Sequence, residues 1–441
     1  MQRDIKILWA CITTTVLLGV CPVQAQQIEI SSSLNPVGSG ARATGMGGAF
    51  IAVADDATAA SWNPAGLVQL EKPEFSIVYA YQNNSQKYNS TLHPELAGSE
   101  NEGDIHSINY ASIAYPFKAF DRNMIVSLNY QRLYEMEKKL GFSYSWPLGP
   151  SVSLNDRISY RQSGFLATLS PAFAIQISPE LSFGTTINIW DDFHGGSNWK
   201  SSYNSQGSGN QGKYSFNDTI NANNTYTFSG VNANLGLMYS PLSKVTIGMV
   251  YKFAFDAGMK KVGSFTQSQT FPTLSGYDTT AKKLTNDNMT MKMPASYGIG
   301  VCYKPTDNWV FALDTYYTEW SRFVIRDSKG NERNPIYGTP ISLGRLSDTV
   351  QVRAGGEYLF IMDKNVIPIR AGVFYDPEPA KPNMKDYFGF SIGTGFSTQR
   401  YSFDVAYQFR TASKATGDLP VDDINADITQ HTFMSSLIFY F

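Results

Sequence analysis

"YSFDVAYQF", Tyr401–Phe409, alternates without interruption. Tyr401, Phe403, Val405, Tyr407 and Phe409 are separated by Ser402, Asp404, Ala406 and Gln408. Successive side chains of a strand point to opposite faces, so this period of two collects five large apolar side chains on one face and smaller or polar ones on the other. A stretch of about nine residues is also the length a tilted strand needs to cross a bilayer.

The same pattern recurs along the chain. Phe75, Ile77, Tyr79 and Tyr81 alternate with Glu74, Ser76, Val78 and Ala80. Met124, Val126, Leu128 and Tyr130 alternate with Ile125, Ser127, Asn129 and Gln131, and Val245, Ile247, Met249, Tyr251 and Phe253 with Thr246, Gly248, Val250 and Lys252. Val350, Val352, Ala354 and Tyr358 face away from Gln351, Arg353 and Glu357. A soluble sandwich would show such strands too, but it has no reason to keep the rhythm of the connections. Tight connections near Phe117–Arg122, Ser178–Leu181, Ser240–Lys244, Lys304–Asn308, Ile361–Asn365 and Ser397–Arg400 alternate with long polar ones, roughly 82–104, 137–160, 191–222, 256–289, 324–348, 377–386 and 410–430. Short turns on one side and long loops on the other predict an all-β fold, a transmembrane antiparallel β-barrel of about fourteen strands. "HTFMSSLIFYF", His431–Phe441, adds a last strand with Phe433, Leu437, Phe439 and Phe441 on one face, the kind of ending read by outer-membrane assembly machinery.

Composition agrees. The 441 residues carry 26 Tyr, 27 Phe and 36 Gly, and aromatic residues favour strands while glycine permits tight wall packing. The net charge of −2 leaves no basic face for nucleic acid. Arg3 and Lys6 before the apolar stretch Ile7–Val20, followed by Val23-Gln24-Ala25, predict a signal peptide over residues 1–25. Cys11 and Cys21 would leave with it, so Cys302 remains without a partner for a disulfide. Beyond the signal no apolar run reaches the roughly eighteen residues of a membrane helix. Export with strands in place of helices points to the outer membrane of a Gram-negative bacterium.

Residues 26–70 stand apart from residues 71–441, the predicted barrel. "GARATGMGGAFIAVADDATAASWNPAGL", Gly40–Leu67, is mostly Gly and Ala, broken by Asp55-Asp56 and closed by Asn63-Pro64-Ala65-Gly66. Its glycines miss the G-x-G-x-x-G spacing and no Walker lysine follows. Low side-chain volume instead suits a plug inside a narrow barrel, with Gly45, Gly47 and Gly48 allowing close approach. Asn63 is placed to close an Asx turn, Pro64 to preset a dihedral and Gly66 to leave left-handed. Asp55 and Asp56 inside a lumen need partners, for which Arg353 and Arg370 are candidates. No serine occupies a nucleophile elbow, and His93, His106, His194 and His431 have no metal-ligand spacing, so neither an enzyme nor a metal or other cofactor is predicted. Acid pairs at Asp191-Asp192 and Asp422-Asp423 fall in polar loops.

With the apolar sets facing lipid, the lumen receives Lys252, Asp314, Arg353, Glu357, Arg370 and Asp404 together with Val78, Trp190, Met238, Val250, Ala312, Tyr316 and Phe374. A partly apolar tunnel with a few basic anchors suits an amphipathic ligand, whereas a water-filled porin would be polar throughout. Lys252, Arg353 and Arg370 are the candidate anchors, and Trp190 and Phe374 the candidate apolar lining.

Several stretches resemble the FadL/TodX family of outer-membrane transporters for long-chain fatty acids and other hydrophobic compounds. They are the Gly/Ala segment with Asp55-Asp56 and Asn63-Pro64-Ala65-Gly66-Leu67, "MKMPASYGIGVCYKP" (Met291–Pro305), "YYTEWSRF" (Tyr316–Phe323) and "IRAGVFYDPEPA" (Ile369–Ala380). The resemblance implies an N-terminal hatch, capture of fatty acids or hydrocarbons from outside, a lumenal site gated by the hatch, and passive release through the wall into outer-membrane lipid. The chain departs from the family in its loops: Gly195–Tyr214 and Gly263–Thr280 are rich in Ser, Gly, Asn and Thr and contain no strong amphipathic helix. A barrel of the same shape acting as an assembly or secretion partner is the alternative.

Overall fold

The computed structural model describes residues 38–441, apart from 92–93, 95–96, 99, 150–151, 195, 212–213, 275, 337, 380–385 and 417–424, and before them residues 30 and 35. The expected signal peptide, His93 and the pair Asp422-Asp423 lie outside the described residues.

The strands run in chain order as β1 (Glu74–Asn89), β2 (Glu100–Ala119), β3 (Arg122–Glu135), β4 (Lys138–Gly149), β5 (Val152–Ser178), β6 (Leu181–Trp190) and β7 (Asn198–Gln211). Next come β8 (Tyr214–Leu242), β9 (Val245–Lys252), β10 (Phe255–Thr270), β11 (Thr279–Met293), β12 (Ser296–Thr306), β13 (Trp309–Thr318), β14 (Val324–Arg326) and β15 (Glu332–Arg333). The last five are β16 (Thr349–Ile361), β17 (Val366–Asp376), β18 (Tyr387–Ser397), β19 (Tyr401–Thr416) and β20 (Asn425–Tyr440). Fourteen of them close one antiparallel barrel: β1, β2, β3, β5, β6, β8, β9, β12, β13, β16, β17, β18, β19 and β20, which pairs back onto β1 with Phe75 opposite Phe439.

Closure pairs each barrel strand with both of its neighbours, which lipid requires because it cannot satisfy a free backbone group. Each of the expected tight connections is a short turn. One of the two-residue turns, Phe120-Asp121, joins β2 to β3 with both residues at positive φ, the geometry of a type I′ hairpin. The facing inferred from alternation holds. Tyr79, Val126, Leu128, Val350, Val352, Phe403 and Phe433 are exposed outward, while Val78, Trp190, Met238, Val250, Ala312, Tyr316 and Phe374 are buried within.

The long connections depart from expectation. Residues 137–160, 191–222 and 256–289, read as polar loops, are largely strand: β4, β7, β10, most of β11 and the outer thirds of β5 and β8. They pair in the order β4–β5–β7–β8–β10–β11 and raise the wall well above the apolar band. Their residues alternate as well, but with small polar side chains. Phe216, Asp218, Ile220 and Ala222 face inward and Asn217, Asn221 and Asn223 outward. Backbone hydrogen bonds continued from the barrel hold such strands despite their weak propensity. Among the described residues, the stretch 319–348 folds across the top, carrying the short β14–β15 hairpin. There Arg326 and Lys292 reach Glu332 at 2.8 and 3.0 Å and hold its carboxyl below the usual carboxylate range.

Candidate functional site

The N-terminal segment lies inside the barrel. It has two short helices, α1 (Ala41–Gly45) and α2 (Ala59–Trp62), and a 3-10 turn at Pro64–Gln69, nearly all buried. The Asx turn forms as read, with the Ala65 N–H donating to Asn63 Oδ1 at 3.1 Å and Pro64 opening the turn. Gly66 differs from expectation: its φ is not positive, and its need for glycine is steric, since a Cβ there would stand 2.0 Å from the Ala54 carbonyl.

The wall is notched to receive this backbone. A Cβ on Gly355 would meet Met46 O at 2.1 Å, one on Gly372 the Gly47 N at 2.2 Å, and one on Gly236 the Asn63 Oδ1 at 2.1 Å. Polar wall groups complete the seat. Asp314 accepts from the N–H groups of Phe50 and Ile51 at 2.6 and 2.7 Å, Ser391 accepts from Gly47 N at 2.8 Å, and Arg353 donates to Gly47 O at 3.0 Å.

Charge pairing follows a different scheme from the one expected. Asp55 pairs with Arg42 of its own segment at 2.5 Å and reaches Lys304 at 3.7 Å, while Asp56 accepts from Thr58 N and Oγ1. Arg353 and Arg370 are not their partners. Instead Glu357 sits between Arg42 (2.9 Å) and Arg370 (2.6 Å), and Arg370 continues to Asp404 at 2.6 Å. The segment supplies its own cation because Arg42 lies on α1 beside the wall carboxylate.

Two small cavities lie on the extracellular side of the segment. The first, of about 140 Å³, is lined by Trp62, Gln131, Arg132, Arg353, Phe374 and Arg410 among others. Among the described residues, the Nε atoms of Arg132, Arg353 and Arg410 have no hydrogen-bond partner, and all three are buried. Arg353 also stands over the Phe374 ring, and Arg410 pairs with Asp376 at 3.0 Å. The second, of about 70 Å³, is lined by Trp190, Lys252, Phe255, Met293 and Trp320; Asn35, Gln131 and Leu133 border both. Above them Trp190, Trp199, Phe228, Met259, Met289, Met291 and Met293 pack against Trp320, Phe323, Ile325 and Ile336 of the stretch across the top.

The expected lining residues are therefore divided: Arg353 and Phe374 border the first cavity, Trp190 and Lys252 the second. Arg370 borders neither, being held by Glu357 and Asp404. Gly48 lines the first cavity, whereas Gly45 and Gly47 face the wall.

The first cavity reaches a break in the wall. Pairing of β2 with β3 stops at Tyr110 opposite Gln131, although both strands continue, and β3 shifts register against β5 between Arg132 and Tyr134. Ser107 and Asn109 line the cavity from one lip, Gln131, Arg132 and Leu133 from the other, and Asn109 donates to the Arg132 carbonyl at 3.1 Å. Alternation places Arg132 outward; the bulge turns it in, and no sequence signal marks the bulge. Arg410 was legible, since it continues the inward series Asp404, Ala406 and Gln408. On the opposite side of the segment, a vestibule of about 590 Å³ opens between Val68–Glu71 and the short turns.

A closed barrel occupied by its own N-terminal segment matches the sequence model for outer membrane protein transport proteins (OMPP1/FadL/TodX) over residues 31–429. The chain belongs to the FadL/TodX family. It is accordingly an outer-membrane protein of a transport family and not an enzyme. Solved structures agree at the level of fold. The toluene transporter TodX of Pseudomonas putida superposes with a TM-score of 0.61 at 16% identity, covering 92% of this chain and 99% of that one. A FadL homologue of Pseudomonas aeruginosa gives 0.57 at 15%, covering 93% and 100%. The toluene transporter TbuX of Ralstonia pickettii gives 0.55 at 16%, covering 92% and 99%. A "47 kDa outer membrane protein" of Pasteurella multocida is 23% identical over 201 residues, 42% of this chain and 45% of that protein, so the match spans under half the relative's length.

Proposed function

We propose that this FadL/TodX member is a passive channel for hydrophobic compounds that carry a compact anionic head, such as fatty acids. The observation behind this reading is the pair of buried arginines, Arg353 and Arg410, whose Nε donors lack partners among the described residues at one cavity next to an apolar Met and aromatic cluster. A buried donor left unpaired is costly, and a carboxylate relieves that cost with charge-assisted bonds. The apolar tail then lies toward Trp190 and Met293. Release runs through the cleft between β2 and β3 into membrane lipid, an apolar phase that needs no energy source. Residues 26–70 act as the hatch: Gly45, Gly47 and Gly48 let α1 meet the wall, Asn63 to Gly66 anchor the lower end, and Asp55 with Asp56 order the middle. Arg353 links ligand to hatch because it lines the cavity and holds the Gly47 carbonyl.

The test compares binding of a long-chain carboxylate, the matching alcohol and an alkylbenzene to detergent-purified protein. The carboxylate is expected to bind at least tenfold tighter than the alcohol, and a combined Arg353→Gln and Arg410→Gln variant to lose that preference. Equal binding of all three by the unaltered protein refutes the anionic head while leaving a hydrocarbon channel. No binding of any refutes the channel reading.

A further inference from the structure

The raised wall has a charged outer face that the passage of ligand does not use. Lys139 on β4 stands directly opposite Arg161 on β5, and Lys200 on β7 stands opposite Ser163, the next outward position of β5 toward the membrane. Arg157 lies two outward positions further up β5, opposite Ser143. All four side chains are exposed, and they face away from the lumen, because their neighbours Trp199 and Gln162 are buried inward. Among the described residues no ion pair joins any of the four to an acid, although Glu137 and Asp192 are near along the chain. Like charges directly opposed across a sheet are unfavourable, so Lys139 and Arg161 form a pair that the fold alone does not reward.

Their height matters. The outward residues below them are apolar: Leu169 pairs with Ile189 and Ile189 with Val231, both of the latter exposed, and Phe193 projects from the β6–β7 connection. Arg161 precedes Leu169 by eight residues on β5. At about 3.3 Å per residue and a tilt of about 40° that is a rise of roughly 20 Å, out of the hydrocarbon and into the polar layer above it. In a Gram-negative outer membrane that layer is made of glycolipid headgroups bearing phosphates.

We infer that Lys139, Arg161 and Lys200, extended by Arg157, form a docking surface for the phosphorylated headgroup of an outer-leaflet glycolipid. The phosphate lies between the opposed Lys139 and Arg161, cancelling their repulsion, while the acyl chains run down beside Phe193, Ile189 and Val231. Arg161 takes phosphate oxygens in a forked, two-donor geometry, and the lysines act as point charges. The surface fixes the wall against the lipid and holds β4, paired among the described residues with β5 alone, at the membrane side of its free edge.

The experiment is a native mass-spectrometric titration of the full mature protein with bisphosphorylated lipid A and with the same lipid dephosphorylated. One or more bisphosphorylated molecules are expected to stay bound, with the dephosphorylated lipid held at least tenfold more weakly. The triple variant Lys139→Gln, Arg161→Gln, Lys200→Gln should weaken the phosphorylated lipid on the order of a hundredfold, at roughly one factor of five per charge near an anionic surface. Lys282→Gln, an exposed lysine high on β11, should change nothing. Heat-modifiable migration confirms that each variant still folds as a barrel. The inference is overturned if the triple variant binds like the unaltered protein, if Lys282→Gln weakens binding equally, or if millimolar inorganic phosphate alone displaces the lipid, which would assign the cluster to a free anion.

Discussion

Glu357 shows how much one side chain carries. It is fully buried between Arg42 of the N-terminal segment and Arg370 of β17, so it bonds the segment to the wall and shares its charge between two cations, whose other partners are Asp55 and Asp404. Replacing one partner of a buried ion pair leaves uncompensated charge, at a cost of about 3–5 kcal/mol. Glu357→Gln is therefore expected to lower the urea midpoint of unfolding in micelles and to expose Arg42 to trypsin, whereas Asp404→Asn, which removes one of Arg370's two partners, should act less strongly on the segment. Equal trypsin resistance in both variants would count against a latch. Gly372 tests the seat by shape alone. A methyl group there would stand 2.2 Å from the Gly47 nitrogen, and overpacking of this kind costs typically 1–3 kcal/mol. Gly372→Ala should leave the barrel closed but loosen residues near Gly47, read as faster amide exchange there than at Ala65.

At the scale of elements, legibility divides by side-chain size. The transmembrane strands were readable because lipid demands large apolar residues at every second position, as at Tyr401–Phe409. The raised strands were not, because their outward face meets polar surroundings and sets Asn, Ser and Thr against an inward face as mixed as Phe216, Asp218, Ile220 and Ala222. Such stretches read as loops, and only pairing in three dimensions identifies β7 and β10 as wall. The site was half legible for a related reason: parity finds Arg353, Phe374, Trp190 and Lys252, but it fails wherever a bulge resets it, as at Arg132. Parity also cannot tell a cation already paired, as Arg370 is, from one with a donor to spare. The cleft where β2 and β3 part company rests on that same bulge and carries its own prediction. Cysteines at Ser107 and Leu133, one on each lip, joined by a cleavable thiol cross-linker, should abolish transfer of a fluorescent fatty acid into liposomes. Cutting the linker should restore it, and either single cysteine should be without effect. Undiminished transfer through the linked protein would mean that compounds leave elsewhere, the vestibule beside Val68–Glu71 being the alternative path.

For the whole molecule, wall and segment divide the work of stability and closure. The wall satisfies its own backbone through a full circuit of strand pairs, ending with β20 on β1 and parting between β2 and β3 above Tyr110 and Gln131, so it does not depend on the segment to remain a barrel. The segment, by contrast, has helices of only five and four residues, far below the length that is stable alone, and it keeps its shape only through the glycine notches, Asp314, Ser391 and the Arg42–Glu357 pair. It follows that replacing Gly40–Leu67 with a flexible Gly-Ser linker of equal length should leave a folded, heat-modifiable barrel. Its lumen would be open from the cavities beside Arg353 to the vestibule below. In a planar bilayer the unaltered protein should be nearly silent to small ions, and the linker variant should conduct in discrete steps. Fatty acid should protect neither behaviour in the variant, because the Arg353 contact to Gly47 that joins ligand to segment is gone. If instead the variant fails to fold, the segment is a template for the wall rather than its occupant, and Glu357→Gln should then reduce assembly in cells rather than open the pore.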